Sequence, residues 1–154
     1  MRPIILAVGH HQSPYLGVFI DQELKWNIHF EFMVKKIGKM ISFLGRLRNF
    51  VNESSLKIIY SSVILPHFDY ADVIWQSASK THMDLLQKLQ NRAGRIILRI
   101  NPYSHISTSY IHEILKWKKL NIRRKEHMYI MMFKVLHDLA PDYMKISIPS
   151  KSYH

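Results

Sequence analysis

The sequence predicts a mainly α fold, in which a short N-terminal β-hairpin or pair of strands precedes an irregular bundle of about five helices. Apolar residues recur at three- and four-residue steps over several long stretches, as they do on one face of a helix. Capping residues and prolines separate these stretches. Two short runs rich in β-branched or aromatic residues lie near the N-terminus and predict strands.

Length and composition predict one intracellular domain. The chain has 154 residues, 47% of them hydrophobic, which is enough to bury a core. The absence of cysteine excludes a disulfide framework and thiolate metal ligands. The apolar run near the start is too short for a signal peptide, and no run approaches the ~18 residues of a membrane span. We therefore expect a cytoplasmic or nuclear protein that is neither secreted nor membrane-bound.

The charge is strongly positive and unevenly distributed. The formal net charge is +11, of which +3 falls on residues 1–80 and +8 on residues 81–154. A balance of this kind favours an anionic partner, with nucleic acid as the first hypothesis and an acidic membrane surface as the second.

We predict three regions: a β segment over residues 1–22, a helical domain over 23–140 and a flexible tail over 141–154. The expected strands are Ile4–Val8 and Tyr15–Ile20. Asp21 is the expected cap of a first helix over about 23–48, and Asn52 of a second over about 53–65, which Pro66 should end. The aromatic stretch 66–75 is expected to pack on the core as a short helix or turn.

A central helix is predicted over residues 81–100, with Thr81 as its N-cap. Its apolar face comprises Leu85, Leu86, Leu89, Ala93, Ile96, Ile97 and Ile100. A narrow basic stripe beside that face comprises Lys88, Arg92, Arg95 and Arg99. Such a stripe is either a solvated surface or a contact for an anion.

Two further helices are expected, over about 109–117 with Ser107 or Thr108 as cap, and over about 122–139. The last helix begins with the basic cluster Arg123, Arg124 and Lys125. Because cations at a helix N-terminus oppose the helix dipole, this cluster either serves a partner or is simply solvated. The remainder of the helix is apolar around most of its circumference, which predicts burial.

An ordered series of residues resembles the C-terminal region of reverse transcriptases from non-LTR retrotransposons, particularly jockey-like elements. The series spans Tyr15 to Tyr143. It comprises Tyr15-Leu16-Gly17-Val18, Ile20-Asp21, Leu24, Trp26, His29, Leu44, Leu47-Arg48, Tyr60, Ile64, Pro66, Phe68, Asp69-Tyr70, Trp75, Leu86, Lys88-Leu89-Gln90-Asn91, Arg92-Ala93, Arg95-Ile96, Leu115, Trp117, Leu120, Arg123-Arg124, Leu136 through Pro141, and Tyr143.

The resemblance implies that the helices correspond to the thumb and the region beyond it, and that Tyr15, Leu16 and Gly17 lie near the primer strand. The alternative for these three residues is an ordinary edge strand. In the family, catalytic magnesium belongs to a Tyr-x-Asp-Asp motif placed before the Tyr15–Val18 segment, and the residues preceding it here contain no acid. Tyr70-Ala71-Asp72-Val73 imitates that motif but comes after the segment and lacks the second Asp. We therefore expect a truncated reverse transcriptase-like fragment that is catalytically inert and holds no cofactor.

Other site chemistries find little support in the sequence. The histidines form no HExxH pattern, and neither a Gly-x-Ser-x-Gly elbow nor a glycine-rich phosphate loop occurs. Nucleic-acid binding remains, through phosphate contacts that carry no sequence information. The candidate residues are Lys35, Lys39, Arg46, Lys88, Arg92, Arg95, Arg99, Arg123, Arg124 and Lys125.

The expected partners are an RNA–DNA or DNA duplex and the palm and fingers regions of a complete reverse transcriptase. A competing hypothesis is a relic or domesticated helical module that binds another protein through the aromatic segment around Trp75. A third is a chain that does not fold stably without the sheet on which it would pack.

Overall fold

The computed structural model describes residues 14–101 and 103–147, and it is mainly α-helical, as predicted. A π-helical turn over Tyr60–Ile64 joins the second and third helices, and a 3-10 helix covers Asp142–Ser147. In the described part of the chain, no helix is long and apolar enough to cross a membrane. The helices are α1 (Asn27–Leu47), α2 (Glu53–Ile59), α3 (Leu65–Asp69), α4 (Lys80–Ile97), α5 (Thr108–Leu115) and α6 (Leu120–Leu136).

The predicted N-terminal β segment is wrong where the structure describes it. Tyr15 and Val18 exchange two backbone hydrogen bonds of 2.9 Å across a tight turn, and this isolated bridge is not extended into a strand. Leu16 and Gly17 have φ angles of 47° and 82°, the positive values that a two-residue hairpin turn requires. The expected strand is therefore bent at its middle. The other expected strand, Ile4–Val8, lies outside the described residues.

The core is built mainly between α1 and α4, which pack against each other. α1 buries Phe30, Ile37 and Ile41 at helical spacing, and α4 buries Leu86 and Ile97. α1 begins later than predicted, because Asp21 closes a turn before the helix instead of capping it. The Asp21 carboxylate accepts from the backbone nitrogens of Glu23, Lys25 and Trp26 at 3.1, 2.9 and 2.7 Å.

Pro66 does not end the second helical segment, contrary to the prediction. A proline inside an α-helix clashes with the carbonyl four residues earlier and cannot donate to it. Here the π-helical turn over Tyr60–Ile64 widens the helix just before Pro66, which then occupies the first turn of α3. α3 thereby continues the direction of the chain and buries Phe68.

The caps of the later helices differ in part from those expected. α4 is capped by Ser79 rather than Thr81, since the Ser79 hydroxyl accepts from His82 N at 3.3 Å. Ser107 caps α5, one of the two residues predicted for that position, and accepts from Tyr110 N at 3.2 Å. A serine or threonine oxygen in this place satisfies a backbone N–H that has no partner within the helix.

α6 is exposed over much of its apolar surface, so the prediction that it is buried is wrong. It buries Leu120, Arg124 and Val135. Its exposed large apolar side chains are Ile122, Tyr129, Ile130, Met131, Met132, Phe133 and Leu136. The helix is apolar around most of its circumference, as predicted, but the described elements packed against it cover only a narrow strip of its surface.

Trp75 itself is fully buried, whereas Tyr70 and Ile74 of the same segment are more than half exposed. The Trp75 ring lies edge-on to Phe30 with centroids 5.2 Å apart, and its Nε1 donates to the Tyr70 carbonyl at 3.1 Å. The aromatic stretch 66–75 therefore packs on the core, as its first interpretation held.

Candidate nucleic-acid interface

The four cations of the basic stripe predicted on α4 do not share one environment in the structure. Lys88 and Arg92 are exposed. Arg95 is half-buried and donates from Nη2 to the Ile106 carbonyl at 2.7 Å. Arg99 lies beyond the end of α4, with a φ of 54°, and donates to the Val51 carbonyl at 2.8 Å. Two of the four cations thus hold neighbouring loops, and Lys88 and Arg92 are left to face solvent.

Polar side chains of α4 close to these two cations take part in a network that fixes α4 to the last two helices. Buried Gln90 donates to the Lys118 carbonyl at 3.2 Å, and Gln87 accepts from the backbone nitrogen of Leu120 at 3.0 Å. His112 Nε2 lies 2.8 Å from the side-chain Oδ1 of Asn91. Burial lowers the pKa of His112, and the hydrogen bond to the Trp117 carbonyl opposes that shift. The network therefore sets the position from which Lys88 and Arg92 project.

Further exposed cations lie on two other helices. Lys35 and Lys39 are four residues apart on α1, on the side opposite the buried positions Ile37 and Ile41. Lys125 is exposed near the start of α6. All three side chains are exposed, and their contact with an anion stays a prediction.

The other two members of the basic cluster on α6 are engaged within the protein. Arg123 grips the Asp69 carboxylate with two hydrogen bonds, of 3.0 Å from Nε and 2.5 Å from Nη2. Arg124 is buried, and its guanidinium carbon lies 5.7 Å from the centre of the Trp75 ring. The unfavourable position of these cations at a helix N-terminus is offset by carboxylates of another segment rather than by a partner.

Asp72 is buried next to Arg124 and contacts His127, whose Nδ1 lies 2.6 Å from Asp72 Oδ2. Burial raises the pKa of Asp72, and the hydrogen bond from His127 opposes that rise. Asp69, Asp72 and His127 each have one atom that could bind a metal ion, and these three atoms lie within 4.8 Å of one another. These residues nevertheless do not fit a catalytic magnesium site, because Arg123 already occupies the Asp69 carboxylate and Mg²⁺ prefers an octahedron of free oxygen ligands.

The structure places Tyr15, Leu16 and Gly17, the residues predicted to support a primer strand, in the exposed turn that precedes α1. The turn is held from the side by Tyr70, whose hydroxyl donates to the Leu16 carbonyl at 2.5 Å. It presents backbone and an exposed Leu16 side chain, so it is neither an edge strand nor a charged surface.

Sequence reasoning missed the residues that orient the cations. The start of α6 is held against the bundle by contacts with Asp69 and Asp72, the second made by His127. The position of α4 is fixed by hydrogen bonds of Gln87, Gln90 and His112. Asp69 and Arg123 are 54 residues apart, so no local pattern links them. The only signal was that acids are scarce in this basic chain, which makes each one a candidate partner for an arginine.

Two curated proteins from Drosophila melanogaster are similar to part of the chain. One is described as a probable RNA-directed DNA polymerase from transposon X-element and is 27% identical over 88 residues. The other is described as a probable RNA-directed DNA polymerase from transposon BS and is 29% identical over 89 residues. The alignments cover 55% and 56% of this chain, and about a tenth of the length of each relative.

No protein-family profile and no solved structure matches the chain. The two transposon proteins agree with the resemblance to reverse transcriptases of non-LTR retrotransposons. The chain therefore contains a reverse transcriptase-like region related to transposon-encoded RNA-directed DNA polymerases.

Proposed function

We propose that this chain grips the backbone of a primer–template duplex and does not itself catalyse polymerisation. The observation that supports this proposal most directly is the pair Lys88 and Arg92, exposed one turn apart on a helix that Gln87, Gln90 and Asn91 tie into the bundle. Lys35, Lys39 and Lys125 add positive charge on α1 and α6. Such contacts bind phosphate without reading bases.

The catalytic part of the proposal is supported by the state of the two neighbouring carboxylates. Asp69 is paired with Arg123, and Asp72 is buried against His127, so neither is free for a two-metal centre. A primer-extension assay with the purified chain and Mg²⁺ should show no incorporation. Incorporation that is lost in Asp72→Asn but retained when an unrelated exposed acid, Glu113, is replaced would contradict this assignment.

The grip is tested by binding of the chain to a labelled RNA–DNA hybrid across a salt series. Each lost phosphate contact should reduce the slope of log K against log salt concentration by about 1. The Lys88→Ala/Arg92→Ala double variant should therefore bind more weakly and with a slope smaller by about 2. The matched control, Lys25→Ala/Lys134→Ala, removes the same charge from exposed sites outside the proposed interface.

Equal weakening by the two double variants would show that only net charge matters, and the proposed interface would be abandoned. Circular dichroism of each variant verifies that the helices are retained.

A second function, protein–protein interaction, is favoured by the exposed apolar face of α6 rather than by the segment around Trp75. Tyr129, Phe133 and Leu136 are 63%, 55% and 62% exposed. Contiguous apolar surface of this kind marks contacts with other proteins or chain segments. The palm or fingers region of a complete reverse transcriptase is the partner proposed for it.

A further inference from the structure

α1 and α4 end at the same side of the bundle, so the loops that follow them lie together. The two helices run side by side in the same direction. Near their starts, Phe30 stacks on His82 with ring centroids 4.6 Å apart. Near their ends, a β-carbon added to Gly45 would lie 3.5 Å from Ile96 Cδ1. The loop from α1 to α2 and the loop from α4 to α5 therefore leave the bundle at one end.

One hydrogen bond joins these two loops, since Arg99 Nη2 donates to the Val51 carbonyl at 2.8 Å. Phe50 directly precedes Val51, and its backbone nitrogen donates into the last turn of α1 at 2.8 Å. On the other loop, the backbone nitrogen of Tyr103 donates to Asn101 Oδ1 at 2.9 Å. Each loop is thus held by hydrogen bonds beside its aromatic residue.

The rings of Phe50 and Tyr103 face solvent. At 83% and 90% exposed, they are the most exposed of the large apolar side chains in the part of the chain that the structure describes. Phe43, in the last two turns of α1, is 51% exposed. A single exposed aromatic side chain is ordinary on a protein surface. Exposed rings on two loops that are tied together instead form a candidate contact surface.

The same end of the bundle is basic. The acid next to the first loop, Glu53, is paired with Lys57 at 2.7 Å. The Arg46 guanidinium carbon lies 5.7 Å from the centre of the Phe43 ring, so a cation and an exposed ring are neighbours here. Over residues 44–52 and 95–107 the sequence holds no acid and four arginines, which are Arg46, Arg48, Arg95 and Arg99.

Nucleic acid with unpaired bases matches both features of this surface. It carries a negative backbone and flat rings, and each unpaired base can stack on an aromatic side chain. The bases of an intact duplex are stacked on one another, so their faces are closed to a side chain. An apolar protein surface would cover the rings but would leave the arginines without partners.

We propose that these two loops form a surface on which unpaired bases of a single strand stack. Phe50 and Tyr103 contact the bases. Arg46, which is exposed, and Arg48, which is half-buried, contact the phosphates. Arg99 positions the surface by holding the loops together. The inference rests on the proposed function for its class of ligand, and it adds a site for a strand that leaves the gripped duplex.

The test measures fluorescence anisotropy of three labelled probes with the full chain. They are a blunt RNA–DNA hybrid, a strand of about 12 thymidines, which is within the usual range of single-strand site sizes, and an abasic strand with the same number of phosphates. The thymidine strand should bind at least about fivefold more tightly than the abasic strand, because only stacking separates them.

The variant Phe50→Ala/Tyr103→Ala should bind the thymidine strand no more tightly than the abasic strand, with its affinity for the blunt hybrid unchanged. The matched control, Tyr129→Ala/Tyr143→Ala, removes two rings that are 63% and 72% exposed on α6 and the 3-10 helix. It should retain the preference for thymidine. Circular dichroism verifies that both variants keep their helices.

Equal binding of the thymidine and abasic strands by the unaltered chain would overturn the stacking surface and assign the exposed rings to a protein contact. This comparison decides the proposal even if a variant does not fold. An unchanged preference in Phe50→Ala/Tyr103→Ala, or the same loss in the control, would also overturn it. Retained binding of the blunt hybrid would then leave the duplex grip standing. A preference for thymidine without hybrid binding would support the stacking surface and overturn the grip.

Discussion

Gly94 lets α5 approach α4 more closely than any side chain would allow. A β-carbon placed there would lie 2.6 Å from Ile111 Cγ2 and 3.2 Å from Leu115 Cδ1. A separation under 3 Å forces a packed neighbour to move. Gly94 is therefore required by the contact between the two helices rather than by a turn.

Gly94→Ala should destabilise the protein by about 1–3 kcal/mol, since overpacking outweighs the ~1 kcal/mol gained from helix propensity. Gly38→Ala is the matched control, because a β-carbon on that residue of α1 meets nothing within 4 Å. The control should raise stability by about 0.5–1 kcal/mol. Urea denaturation of both variants measures the difference, and equal changes of the same sign would contradict the packing role of Gly94.

The burial of the His29 ring lets us predict how the stability of the protein depends on pH. Its pKa in the folded protein is lowered from 6.5. The unfolded chain therefore binds more protons below that value, and stability is lost as the pH falls through it. His67 and His112 are shifted in the same direction.

Denaturation between pH 8 and 5 should show stability that falls with acidification, and His29→Leu should show a shallower fall. One such group contributes at most about 1.4 kcal/mol per pH unit. At pH 8 the variant should be more stable by about 1 kcal/mol, because two unpartnered nitrogens are removed from the interior. Parallel pH profiles would contradict the assignment of His29 as a neutral buried ring.

At the scale of elements, the start of α6 is held to α3 by one ion pair. Arg123 and Asp69 have side chains only 27% and 22% exposed, so solvent screens them incompletely. Lys125, two residues later, is exposed. Arg123 and Lys125 belong to the same cluster, yet Arg123 is ion-paired within the protein and Lys125 is exposed to solvent.

Arg123→Ala should cost about 1–3 kcal/mol of stability, because it leaves a partly buried carboxylate unpaired. Lys125→Ala should change stability by no more than about 0.5 kcal/mol. A double-mutant cycle with Asp69→Ala isolates the pair, and a coupling energy near zero would show that α6 is held by other contacts.

Helix positions were predictable from the sequence because the spacing of apolar residues along a short stretch is enough to indicate a helix. α1 and α4 were found to within a few residues for that reason. The Tyr15–Val18 turn was not, since β-branched and aromatic content does not show whether a pairing strand is near. The orientation of Arg123 and Arg124 was also hidden, because it depends on carboxylates more than 50 residues away. Exposure of Lys35, Lys39, Lys88, Arg92 and Lys125 agrees with the sequence prediction, whereas duplex binding stays a prediction.

At the scale of the whole molecule, the apolar face of α6 governs behaviour in solution. Ile130, Phe133 and Leu136 are each more than half exposed, on a chain with net charge +11. The charge opposes association of copies, and the apolar face promotes it.

We expect the isolated chain to self-associate as salt is raised, since screening weakens charge repulsion more than apolar contact. Sedimentation should show an average mass that increases with protein concentration at ~0.5 M salt. Ile130→Glu/Phe133→Glu should remain monomeric under the same conditions with its helical content retained. Unchanged association in that variant would place the contact elsewhere on the surface.

The π-helical turn between α2 and α3 lets this part of the chain absorb a change in length. A π turn holds one residue more than an α turn, although both complete one full rotation. Deletion of a single residue from Tyr60–Ile64 that restores ordinary winding would therefore leave α3 in nearly the same orientation, with Phe68 toward the core and Asp69 toward Arg123. A deletion within α4, which has no such turn, would instead rotate the residues that follow by about 100°. The chain is thus more tolerant of a lost residue in this turn than in its regular helices.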